Sequence, residues 1–512
     1  MGESGRRYPQ LVESTLPGQQ SSSTKPGDGA DKPAQTGKPV SNDHLLQPYL
    51  SQSIDSASNS STKNGLAQLS KTPTDWTIVG DMSILFDSQG ANGHMGAENK
   101  TALLKQLKDQ TKDHSVSIVL QSVSVDGKDV KPGFDLSTSQ EPYQVKTIVL
   151  RDGQEYDISS GKSQGLKADL QNELDFALKN QPSQHVALAI SAHGLGDEGI
   201  LGGTQENNNR VNGRMKTADE LADTIKSSLT KANHGKLDVV DMDSCMMAQM
   251  GVLHSMSGVA DQLVASEQTE KVSADHGVDG QNLNAWVSKV IGNSKMSGAD
   301  VAREIVAEAN NNQNNGDAHG PAGTATLAAF DLSHVDEFSG LMNKLGKALS
   351  DTSKTPGGAN AISGAIDDTE NFDAAQQYGP PVVAADAKYD VKDFLGRLKF
   401  RLGASSNDEL TKAMDDVNHY VDDRSKLITA VHLPYGYAQN DLMHRMPAVP
   451  QGTGLSIYLP NKDIRQNASK TKADIDNLGT METGTTDSDW NTFLSSMWKP
   501  AQSFGLKVTR IQ

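Results

Sequence analysis

Short apolar runs alternate along most of this chain with longer segments of helical period, and that alternation restricts the fold more than any other feature. Asp75-Trp76-Thr77-Ile78-Val79 opens the series as a strand. A helix at about 99–112 follows, with Leu103, Leu104 and Leu107 on its core face. Residues 116–125 and 144–150 read as strands, and 165–180 as a helix with Leu166, Leu170, Leu174 and Leu178 four apart. Then come a strand at 185–190, a helix at about 217–231, a strand at 237–242 and the helix-prone Met246-Met247-Ala248-Gln249-Met250. Residues 261–265, 325–330 and 455–460 read as later strands, and the Gly-, Asn- and Asp-rich stretches 270–282 and 308–323 as loops. Strands alternating with helices predict βαβ units, hence an α/β fold with a mostly parallel sheet. Right-handed crossovers place helices on both faces, and functional groups gather beyond the carboxyl ends of the strands.

Residues 1–72 break this pattern. They are rich in Ser, Gln, Pro, Gly, Thr and Lys, with sparse and aperiodic apolar residues. Such a segment buries too little surface to offset its ordering entropy, so it is expected to be disordered. An export or delivery signal for a specialised secretion machine is the other reading. A net charge of −17 opposes binding to a nucleic-acid backbone. No apolar run reaches the roughly 20 residues of a membrane helix, so no membrane span is expected. No basic-flanked hydrophobic segment of signal-peptide type opens the sequence, and Arg6 stands where a myristoylation signal wants Ser or Thr. Secretion or delivery without a signal peptide is therefore expected over membrane attachment.

The chain has one cysteine, Cys245. A single thiol can form neither an intrachain disulfide nor a multi-cysteine zinc site. A lone cysteine is ordinarily a small buried hydrophobe. Its surroundings offer a second reading. The strand at 185–190 ends in Ser191-Ala192-His193-Gly194, and the strand at 237–242 ends in Asp243-Ser244-Cys245. Parallel neighbours would bring His193 and Cys245 together. A thiolate at the start of a helix is stabilised by the dipole and free N–H groups, and histidine titrates near neutrality. Cys245 is thus a candidate nucleophile and His193 its general base. Gly194 lets the backbone approach a substrate carbonyl, and the N–H groups of Gly194 and Cys245 are candidate oxyanion donors.

These residues resemble the motifs of the clostripain family, within the caspase-like cysteine peptidase clan. Ala192-His193-Gly194-Leu195-Gly196 resembles its histidine motif, and Asp243-Ser244-Cys245-Met246-Met247 its nucleophile motif. Asp75-Trp76-Thr77-Ile78, Val264-Ala265-Ser266-Glu267-Gln268-Thr269-Glu270, Gly454-Leu455-Ser456-Ile457-Tyr458-Leu459-Pro460 and Trp490-x-x-Phe493-Leu494 extend the likeness over about 75–497. The resemblance implies a catalytic core at 73–350 and a C-terminal part, 351–512, that completes the peptidase unit. It implies peptide or protein substrates cut after arginine or lysine, arginine favoured. It requires no cofactor, although Ca²⁺ dependence occurs among such enzymes; no Asp-x-Asp-x-Asp-Gly loop is present.

By the same resemblance Asp243 matches the acid of the S1 pocket, where a carboxylate takes an arginine bidentately. A helix N-cap is its structural alternative. Asp241 replaces a small neutral residue. Two residues away on a strand, it shares a face with Asp243. It either deepens the negative pocket or raises its neighbour's pKa. The resemblance further implies activation by cleavage between His193 and Cys245. The polar run 202–214 offers Arg210 and Arg214, with Lys216 a weaker site; an uncut solvated loop is the alternative. Two other readings stay open: an inactive binding or scaffold protein, and a caspase-like peptidase with a non-basic preference.

Overall fold

The computed structural model describes residues 72–82, 97–113, 115–125, 143–201, 214–268, 272–273, 277–278, 283–314, 326–369, 388–403, 407–433, 452–460, 482–485 and 487–497. The expected disorder of 1–72 lies almost wholly outside them. The chain runs β1 (Thr74–Met82), α1 (Ala97–Gln110), β2 (Val116–Val125), β3 (Tyr143–Arg151), β4 (Gln154–Lys162), α2 (Leu166–Asn180) and β5 (Ser183–Ser191). Next are the two-residue strands β6 (His193–Gly194), β7 (Ile200–Leu201) and β8 (Arg214–Met215), then α3 (Ala218–Ala232), β9 (Leu237–Asp243), α4 (Met250–Met256) and β10 (Ala260–Ala265). A small hairpin, β11 (Val272–Ser273) and β12 (Gly277–Val278), precedes α5 (Leu283–Gly292), α6 (Gly298–Asn314) and β13 (Leu327–Asp331). The last part comprises α7 (Val335–Thr352), α8 (Pro356–Asp368), β14 (Lys388–Asp390), α9 (Val391–Leu402), α10 (Asp408–Asp422), β15 (Ile428–His432), β16 (Ser456–Tyr458) and α11 (Asp489–Met497).

Nine strands form the central sheet in the order β15-β13-β10-β9-β5-β1-β2-β3-β4. The five in the middle, β10-β9-β5-β1-β2, are parallel, and antiparallel pairs finish both edges. The central strands read as near-continuous apolar runs because they are covered on both faces. One face packs Trp76, Ile78, Ile118, Ala189 and Val239 against Leu107 of α1, Trp286 of α5 and Ile305 of α6. The other packs Val79, Leu188, Val240 and Leu263 against α2, α3 and α7, in a core that reaches Trp490 and Phe493 of α11. The segment after residue 350 therefore shares the main core.

One expectation changes here, and two later strands acquire their partners. Residues 308–323 do not begin as a loop, since α6 continues to Asn314 with Val301, Ile305, Val306 and Ala309 buried against the sheet. The strand at 325–330 joins the sheet antiparallel, as β13. The late strand, β16, lies outside the main sheet and pairs with β14.

Candidate active site

The parallel pairing of β5 with β9 sets Ser191 opposite Asp243, and the Ala192 N–H donates to the Asp243 carbonyl at 3.3 Å. His193 and Cys245 each lie two residues beyond that matched pair, so their backbones leave the sheet side by side. A methyl group on Gly194 would sit 1.9 Å from the Cys245 carbonyl oxygen and 2.8 Å from its nitrogen. Only glycine permits that approach. Both His193 and Cys245 are half-buried, whereas Gly194 and Ser244 are buried.

Cys245 does not open a helix, contrary to the sequence expectation. α4 begins at Met250, with Gln249 as its N-cap residue, and has seven residues. Met246 adopts φ +58, and its N–H donates to the Gln268 carbonyl at 2.8 Å. The Ala248 N–H donates to the Ser266 carbonyl at 2.8 Å, and the Ala248 carbonyl accepts from the Ser456 N–H at 2.9 Å. These helix formers are held in a turn and a short extended stretch because neighbouring chain takes their backbone groups; tertiary pairing overrides propensity. The helix dipole is thus removed as a source of thiolate stabilisation.

The two acidic candidates have different surroundings. Asp243 ends β9 at 8 % exposure, next to the His193 and Cys245 backbones. Asp241 lies deeper, between the sheet and α5. Burial pushes its carboxyl up to about 8, and the indole N–H of Trp286 offsets only part of that without closing a full hydrogen bond. At neutral pH Asp241 is mostly protonated and contributes little negative charge.

His193 and Gly194 pair with Leu201 and Ile200, and Leu201 pairs with Arg214. Arg214 thus sits in the small sheet that carries His193, while Arg210 lies outside the described residues. The turn between β6 and β7 is held closely. Gly196 has φ +63, and a methyl there would lie 2.0 Å from Gln249 Nε2. The Asp197 N–H donates to Gln249 Oε1 at 3.0 Å, and the Asp197 carboxylate pairs with Lys388 Nζ. Sequence reasoning missed the roles of Gln249, Lys388 and Ser456: Lys388 is remote in sequence and outside every motif, while Gln249 and Ser456 were read only as parts of a helix and a strand. The one available hint was a lysine beside a tyrosine and an aspartate at the start of a helical pattern, Lys388-Tyr389-Asp390.

An α/β sheet of this kind is shared with a solved C11 cysteine protease. A secreted C11 cysteine protease from Bacteroides thetaiotaomicron, in complex with an irreversible peptide inhibitor, aligns with a TM-score of 0.50 at 13 % identity, covering 82 % of this chain and 99 % of that one. An inactive zymogen C11 protease from Parabacteroides distasonis aligns with a TM-score of 0.48 at 15 % identity, covering 83 % and 99 %. The clostripain family model matches residues 110–498 of the 512, so the chain belongs to the clostripain family and is a cysteine peptidase. No curated protein sequence matches it.

Proposed function

We propose that the chain is an endopeptidase that cuts after basic residues, arginine preferred, with Cys245 as nucleophile and His193 as general base and acid. The observation that carries this reading is the side-by-side exit of His193 and Cys245 from β5 and β9, with Gly194 against the Cys245 backbone. His193 takes the Cys245 proton, and the thiolate attacks the scissile carbonyl. Collapse of the tetrahedral intermediate gives a thioester, while His193 returns the proton to the leaving amine. His193 then deprotonates water, which attacks the thioester and releases the new carboxyl end and the thiol. The Gly194 and Cys245 N–H groups are the proposed oxyanion donors. Met246 is unsuited, because its N–H is already engaged with Gln268.

With the thiol no longer at a helix start, His193 as an imidazolium is the main stabiliser of the thiolate. Asp243, beside the dyad at the end of β9, is the proposed S1 carboxylate; Asp241 is less suited, being buried and largely neutral. Self-processing after Arg210, between β7 and β8, or after Arg214, within β8, would cut the chain close to the histidine strand. Among the described residues no group of three or more His, Cys, Asp or Glu is placed to hold a metal. Steady-state hydrolysis of fluorogenic peptides with Arg, Lys, Asp, Asn or Leu at P1, by the mature wild type beside Cys245→Ala, tests the reading. Arg and Lys turnover lost in Cys245→Ala supports it. Turnover that survives the substitution, or a preference for Asp, Asn or Leu, overturns it.

A further inference from the structure

The short ribbon of β14 and β16 touches the turns that follow both halves of the proposed dyad. Lys388 pairs with Tyr458 and Asp390 with Ser456 across it. From β16, the Ser456 N–H donates to the Ala248 carbonyl, three residues after Cys245, and Ser456 bridges Gln249. From β14, Lys388 reaches Asp197, four residues after His193. The pair is dry: Lys388 and Asp197 are both 2 % exposed. Lys388 Nζ also lies 5.4 Å from the centre of the Tyr458 ring. Behind it, Glu482 accepts hydrogen bonds from the Tyr458 N–H and, at 2.7 Å, from the Trp490 indole.

A buried ion pair of this type contributes little net stability, because desolvation offsets the attraction; its best-attested use is to fix one arrangement. Here the arrangement fixed is the turn that follows His193. That turn has three holds: the Lys388 ion pair, the Gln249 side chain on the Asp197 N–H, and contact of Gly196 with Gln249. Gln249 is in turn tied to β16.

We propose that Lys388 and Asp197 are positioning residues for His193, and that the β14–β16 ribbon sets the histidine and nucleophile turns to one another. This rests on the dyad reading above. Displacement of the imidazole by about 1 Å is enough to lower turnover about 100-fold while leaving substrate affinity largely intact.

The test uses the full-length mature chain and four variants, Lys388→Met, Asp197→Asn, the double substitution, and His193→Ala. The double removes both members of the ion pair, leaving Glu482 as the buried acid beside them, and it keeps the test open where a single substitution fails to fold. For each, circular dichroism confirms folding at the assay temperature. Then kcat and KM are measured on an Arg peptide, and iodoacetamide alkylation of Cys245 is followed from pH 5 to 9. Expected for the clamp variants is a fall in kcat of about 100-fold with KM within about threefold. The alkylation midpoint should move up towards that of His193→Ala. A folded double variant with wild-type kcat, or with a lowered kcat and an unmoved alkylation profile, overturns the proposal. If His193→Ala itself leaves alkylation unchanged, the dyad reading falls; if it moves alkylation and the clamp variants do not, only the positioning role falls.

Discussion

Gly194 packs its α-carbon directly on the Cys245 backbone, so that one added methyl would meet the Cys245 carbonyl oxygen at 1.9 Å. The obstruction is backbone, which cannot rotate away. Gly194→Ala should therefore separate the two turns, lowering kcat/KM by about 100-fold or more and stability by about 1–3 kcal/mol. Steady-state kinetics and a thermal melt check both. Wild-type activity in this variant would show that the turns need not touch.

Asp243→Ala should penalise Arg and Lys substrates selectively. Loss of a desolvated charge pair costs about 2–5 kcal/mol, so kcat/KM for an Arg peptide should fall about 30-fold or more, and that for a Leu peptide far less. Equal losses would make Asp243 structural and move attention to Glu267, which is fully buried beyond β10.

Asp241→Asn tests the buried carboxyl. Its folded pKa is raised from 3.8 to about 8, chiefly by burial. The folded state therefore holds this proton more tightly than the unfolded chain. The associated stability is full below about pH 4, falls by up to about 1.4 kcal/mol per pH unit, and is lost as pH passes 8. Melting temperatures from pH 5 to 9 should fall less in Asp241→Asn than in the wild type, with the Arg preference retained. Parallel curves, or a lost preference, would count against the burial account.

Intact-mass analysis of the wild type beside Cys245→Ala addresses self-processing. Cleavage after Arg210 or Arg214 should give two fragments in the wild type and one full-length chain in the variant. The fragments should co-purify, since β5 and β9 are neighbours inside the sheet. An active wild type that stays uncut would show that cleavage is dispensable.

A helix cap away from the site supplies a control. Asn407 caps α10 by accepting the Leu410 N–H at 2.7 Å. Asn407→Ala should cost about 1 kcal/mol of stability, read as a lowered melting temperature, with kcat/KM unchanged.

How much of this was legible in the sequence depended on distance along the chain. The strands β1, β2, β5, β9 and β10 each carry a short apolar run, and all five were readable. So was the equivalence of His193 and Cys245, because each follows its strand by a fixed short interval. The turn after Cys245 was misread because Met246 to Met250 favour helix locally, while Ser266, Gln268 and Ser456 claim their backbone groups. The role of Lys388 was invisible for the same reason: its partner Asp197 is 191 residues away. Helices α7 to α10 went unassigned, although Phe338, Leu345, Phe394 and Leu398 recur at helical spacing on faces buried in the main core. Their apolar faces are diluted by the Lys and Asp residues between them.

The order of the nine strands bears on how the protein is made. β1 is the first strand among the described residues and lies inside the sheet, with β2, β3 and β4 added in turn on one side. β5, β9, β10, β13 and β15 are added in turn on the other. Each of these nine strands thus docks on an edge that earlier residues have already formed, and none of them must wedge between two paired neighbours. A chain emerging from the ribosome can assemble this sheet in order of synthesis, with no completed pairing to be undone.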